Sequence, residues 1–175
     1  MSEDVAPPPQ QALAAALAAV QEAVAAALVA PVWQLESGQL GPSVQLTVSL
    51  ENQLAALRLS LVKEADDRSV ADAVHARTTP FWLAQLLRID HVDAAKQVRL
   101  AREGSDQVIA AIADGSVCET KALAIVDGLR LIKRIGTVTV DELEQGEEFL
   151  LDWAPRLTRK HLAVAAAKIA DVLDP

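Results

Sequence analysis

Lys96, Arg99 and Arg102 are the residues whose type and spacing most clearly suggest chemistry. They recur every third residue in HVDAAKQVRLARE, a stretch where Ala94, Val98 and Ala101 fall at i, i+4 and i+7. On a helix the apolar set faces a core while Lys96 and Arg99 lie opposite, with Gln97 near them and Arg102 at the edge. Cations on one face of a short helix can neutralise phosphates or donate to guanine edges in a major groove. Arg88 and His91 lie just before this helix, and Arg130, with Lys133 and Arg134, forms a second basic cluster at a later helix end. There cations also complement the helix dipole. The candidate DNA-contacting set is therefore Arg88, His91, Lys96, Arg99, Arg102 and Arg130.

Other chemistry finds little footing. His75, His91 and His161 are scattered without a second histidine at i+4, which argues against zinc. Asp66-Asp67 and Glu147-Glu148 are adjacent pairs that project to different helix faces, so neither forms an acid/base couple, and Asp66-Asp67 reads as exposed helix-end polarity. Cys118 reads as a packed, inert thiol in the first turn of a helix, without a basic neighbour. No phosphate-binding glycine loop or nucleophile elbow is present, so no catalytic residue and no cofactor or metal is expected.

The elements that must position the basic residues are short helices. Pro80 suits a first helical turn, and Phe81, Leu83, Ala84 and Leu87 give residues 80–88 an apolar stripe. Asp90 can cap the next helix. Two short helices joined by a tight turn, the second bearing outward cations, is the layout of a helix-turn-helix, here residues 80–103.

Around that segment the chain reads as all-α, a multi-helix bundle with a long N-terminal helical hairpin. Its 175 residues are 51% hydrophobic but only 3% aromatic, and Ala and Leu dominate, a bias towards helix. Residues 1–10, with consecutive prolines, read as a disordered leader. Residues 11–66 read as the hairpin, its first helix about 11–33 and its loop at Glu36-Ser37-Gly38 and Gly41-Pro42. Residues 67–175 read as a compact helical domain. Ser116 with Glu119 and Thr139 with Glu142 fit capping boxes, Thr158 fits a cap, and Trp33, Trp82 and Trp153 are expected as core anchors.

The net charge of −8 counts against non-specific polyanion binding by the whole chain. Its distribution is lopsided, however. Between Arg77 and Arg102 five bases face two acids, whereas Asp141 to Asp152 carries six acids and no base. The Ala-rich N-terminal run has the length of a membrane span but is interrupted by Gln21-Glu22, so a soluble, cytoplasmic helix without membrane contact is expected. The single cysteine fits a reducing compartment.

Two resemblances follow from particular stretches. LAQLLRIDHVDAAKQVRLAR with VIAAIADGSVCETKALAIV resembles the helix-turn-helix of ParB-type partition proteins through Leu83-Ala84, Ile89, Arg99-Leu100 and Gly115. It departs at Arg88, where such motifs usually carry Gly, and a non-Gly residue at positive φ costs on the order of 1 kcal/mol. The order ADDRSV, TTPFWLAQLLRID, VRLAREG, IADGSV, KALAIVDGL, LLDWAPRLTRKHL, VLDP resembles the actinobacterial 13E12 repeat family, a domain of unknown function that precedes an HNH endonuclease motif. That resemblance implies DNA-linked biology. The HNH histidines have no counterpart here, so it implies a module that is non-catalytic on its own. The leading expectation is duplex-DNA targeting; the alternative, from the Ala-rich first helix and the Leu50 to Leu61 seam, is protein interaction or homodimerisation through the N-terminal helices without DNA binding.

Overall fold

The computed structural model describes residues 9–173; the expected leader lies outside these apart from its last two residues, which begin the first helix. Among the described residues there are nine α-helices, one 3-10 turn and no strand, so the fold is all-α. The chain divides into two compact units, Met1–Ser43 and Val44–Pro175.

In the first unit, α1 (Pro9–Leu28) ends earlier than the expected residue 33. Pro31 explains this, since it disfavours helical geometry in the residue before it, and Val32–Gln34 form a single 3-10 turn. The expected loop at residues 36–42 is instead the start of α2 (Ser37–Asp67). Gln39 closes that turn, its Oε1 accepting from the Glu36 N–H at 3.1 Å while its own N–H donates to the Glu36 carbonyl. Pro42, the sixth residue of α2, lies past the first turn and so removes the bond its N–H would have made to the Gly38 carbonyl.

The second unit is built around α7 (Glu119–Lys133), which buries seven residues from Ala122 to Ile132. A helix apolar nearly all round must be enclosed. α5 (His91–Glu103), α6 (Asp106–Ala113), α8 (Val140–Trp153) and α9 (Arg159–Leu173) contact it. The closest approach is to α9 at Gly128, where a Cβ would fall far inside van der Waals contact with Ala166 Cβ. The core is aliphatic: Leu59, Leu83, Ile112, Ile125, Ile132, Leu150 and Leu162 are fully buried.

The tryptophans do not anchor it as expected. Trp33 is 82% and Trp153 40% exposed, and only Trp82 packs partly against the core. Trp33 lies in the 3-10 turn of the first unit and Trp153 on the surface flank of α8, so neither is aimed at the aliphatic interior. Of the caps, the Thr139/Glu142 box forms, with Thr139 N–H to Glu142 Oε2 at 2.9 Å, and Thr158 Oγ1 accepts from His161 N–H. The Ser116/Glu119 box does not. Ser116 is held in the preceding turn by Asp114 and the Ala111 carbonyl, which leaves Cys118 as the N-cap of α7.

Candidate nucleic-acid interface

Two short helices carry the candidate residues. α4 (Thr79–Leu87) is capped by Thr78, whose Oγ1 accepts from Phe81 N–H at 3.2 Å, with Pro80 in the first turn. It packs on α5 (His91–Glu103), which Asp90 precedes as N-cap without a side-chain bond. Between them Arg88 adopts φ 55° and ψ 44°, the left-handed conformation usually given to Gly. The backbone N–H groups of Arg88 and Ile89 both donate to the Ala84 carbonyl and close the turn. A helix-turn-helix-like unit therefore forms despite the Arg, because two hydrogen bonds and the packing of α4 on α5 offset strain of about 1 kcal/mol.

The cations of α5 do not present a free ridge. Lys96 Nζ lies 2.8 Å from Asp93 Oδ1 one turn earlier. Arg99 reaches Asp127 of α7 at 3.1 Å, with its Nε buried. Arg102 grips Asp66 at the end of α2 through Nε to Oδ2 at 2.5 Å and Nη2 to Oδ1 at 2.6 Å. Arg130 Nε stands 3.8 Å from Glu103 Oε2. Leu100 is buried along with Ala94, Val98 and Ala101, so α5 is covered on two sides and its apparent solvent face partly meets α7. Arg88 and His91, at the turn, are exposed and make no ion pair among the described residues.

Asp66, expected to be exposed helix-end polarity, is a junction instead. Its side chain is 15% exposed and also accepts from Thr79 Oγ1 at 2.5 Å, so one carboxylate ties α2 to the start of α4 and the end of α5. The Arg102 hydrogen bonds hold its carboxyl below the ordinary value, and the same bonds raise the Arg102 guanidinium. Burial pushes the Cys118 thiol up. Hydrogen bonding with Thr120 and with backbone N–H groups, together with the Lys121 ammonium, outweighs this and holds the thiol below its usual value. Cys118 is thus exposed and does have a basic neighbour, contrary to the sequence reading.

The two basic clusters do meet. Arg102, Arg130 and Lys133 line one cavity of about 480 Å³ between α5, α7 and α8, which Glu103 and Glu147 also line. Glu147 accepts from Ser105 Oγ, the N-cap of α6. Lys133 is the cation of this cluster that the list of DNA contacts left out. No group of three or more His, Cys, Asp or Glu among the described residues is placed to hold a metal.

Two apolar surfaces lie away from the basic segment; the first was expected as a dimer surface, and the second escaped the sequence reading. α1 carries Leu13, Leu17, Val20 and Val24 on one stripe at 38–44% exposure, and none of its described side chains is buried. It is also long and apolar enough to cross a membrane, with mean hydropathy 1.5 over Gln11–Leu28. On α8 and α9, Phe149 and Trp153 stack at 5.7 Å and open onto Val164, Ala165, Ile169 and Val172 in two adjoining hollows of about 270 and 340 Å³. The i, i+4 recurrence of Phe149-Trp153 was the available signal.

Fold and site together define an all-α domain with a helix-turn-helix-like unit whose basic residues are mostly paired internally. The family model described as "Domain of unknown function (DUF222)" matches residues 43–175, and the chain belongs to that family. No curated protein and no solved structure matches it.

Proposed function

We propose that this chain is a non-catalytic protein-interaction module, of the kind that stands before an HNH nuclease in the actinobacterial 13E12 repeat family it resembles, and that it works in the cytoplasm. The observation that carries this reading is α1. A helix of 20 residues with an aliphatic stripe and one charge, Glu22, has no buried described side chain. Alone in water such a helix is marginal, and burying its stripe against a protein surface is what would stabilise it. Gln21-Glu22 at its middle and the low insertion energy of alanine favour a protein surface over a bilayer. Sedimentation of the wild-type chain and of Leu17→Glu with Val24→Glu tests this. Self-association that the double variant abolishes supports the reading. A wild-type chain that stays monomeric at every concentration and floats with lipid vesicles overturns it.

A second reading is duplex binding at the turn. It is favoured by the unpaired Arg88 and His91 and by the shared cavity of Arg102, Arg130 and Lys133. Fluorescence anisotropy with duplex DNA across a salt series tests it. Binding at low salt that Arg88→Ala with Lys133→Ala removes would support it, and no binding at low salt would end it.

A further inference from the structure

The apolar trough on α8 and α9 is bordered by opposite charges. On α8, Leu150 and Gly146 are the buried residues, so the row Glu144, Glu148, Asp152, at i, i+4 and i+8, runs along the outer side of Phe149 and Trp153. On α9, Leu162, Ala166 and Ala170 are buried, and the corresponding outer row holds Lys160, Val164 and Lys168. All five charged residues are exposed and none makes an ion pair among the described residues. One rim is therefore acidic, the other basic, and the floor between them is apolar.

We infer that this face binds a second copy of the chain through a two-fold axis running along the helices, an inference that rests on the interaction reading above. Such an axis lays trough on trough and sets the basic rim of each copy against the acidic rim of the other. A two-fold across the helices would oppose acid to acid. Trp153 shares a hollow with His161, and Phe149 with Ala165 and Lys168, so α8 and α9 run antiparallel; Lys160 then stands near the level of Asp152 and Lys168 near that of Glu144. Asp171, one turn beyond Lys168, stands near the level of Asp141 and sets acid against acid at one end of the contact, so the two lysine-to-acid pairs carry the complementarity. The face is two helices wide and about three turns long, roughly 20 Å by 18 Å. At about 720 Å² over both copies this is smaller than the roughly 1,200 Å² of a stable dimer, so the contact is a weak, reversible one that relies on the paired rims.

Sedimentation velocity from 1 to 300 µM, values on the order of the expected dissociation constant, tests the inference with two charge-reversed chains. One carries Lys160→Glu and Lys168→Glu, the other Glu144→Lys and Asp152→Lys. Each should remain folded by circular dichroism and lose self-association at least tenfold, because like rims then meet. Mixed together they should recover it, since each altered rim finds its opposite. Wild-type affinity in either variant alone, or no recovery on mixing, overturns the inference. If the charge-reversed chains still associate while Leu17→Glu with Val24→Glu does not, the interaction reading stands and this seat for it fails.

Discussion

Arg102 donates two hydrogen bonds to the Asp66 carboxylate, at 2.5 and 2.6 Å, and thereby fastens the end of α5 to the end of α2. Thr79 at the start of α4 donates to the same carboxylate, so the helix-turn-helix-like unit is clamped at both its entrance and its exit. Asp66→Asn should cost about 1 to 2 kcal/mol, since a charge-assisted fork is lost but Arg102 stays half in solvent. The pH dependence follows in sign. The folded carboxyl is held below its ordinary 3.8, so its contribution is complete above that value and is lost as pH falls through the folded pKa. The gap in urea midpoint between wild type and Asp66→Asn should be smaller at pH 3 than at pH 6 and should go on shrinking at lower pH.

The crossing of α7 and α9 depends on the missing side chain of Gly128. Gly128→Ala would drive a methyl into Ala166 Cβ and force the helices apart, an overpacking cost of about 1 to 3 kcal/mol. Ala166→Gly on the same chain should recover much of the loss, because it vacates the space the new methyl needs. Thermal unfolding of the two single variants and the double variant measures this coupling.

Arg88 supplies a prediction of the opposite sign. Its φ of 55° is one Gly would hold without strain, and its side chain makes no ion pair among the described residues. Arg88→Gly should therefore stabilise the fold by roughly 0.5 to 1 kcal/mol, read as a higher urea midpoint. Duplex affinity of the same variant separates the two functions. A stabilised chain with weakened DNA binding means the Arg is kept at a strained turn for contact, whereas unchanged binding leaves it without that role.

Helix period and punctuation made much of the fold legible. Residues 91–103 are helical as the Ala94, Val98, Ala101 spacing indicates, and the Thr139/Glu142 box forms because both its partners are local in sequence. What the sequence could not convey was the identity of partners across helices. Nothing near Arg99 or Arg102 reveals that Asp127 and Asp66, 28 and 36 residues away, fold back onto them. A helical wheel assigns the face opposite the apolar stripe to solvent, and that fails where a second helix packs over the flank. The tryptophans misled for a related reason. Size and hydrophobicity do not say which face a ring lies on: Trp33 falls in the 3-10 turn of the first unit, and Trp153 lies on the exposed flank of α8 beside Phe149.

The internal pairing of the α5 cations allows one more discrimination between duplex binding and protein interaction. Asp93 and Asp127 are 57% and 43% exposed, and each masks one cation, Lys96 or Arg99. Replacing both with Asn should cost little stability, below about 1 kcal/mol per pair, because exposed ion pairs contribute weakly. It would also free two positive charges on the helix meant to enter the groove. If α5 meets DNA, the double variant should bind a duplex more tightly than wild type, and the slope of log affinity against log salt should steepen by up to about 0.9 per freed cation. If the chain works through protein contacts, unmasking these cations should raise duplex binding only weakly and leave self-association through the α8 and α9 face unaltered. Anisotropy and sedimentation on one preparation of Asp93→Asn with Asp127→Asn read both outcomes. A steeper salt slope would return α5 to the role its spacing first suggested, with the carboxylates acting as a brake on phosphate contact.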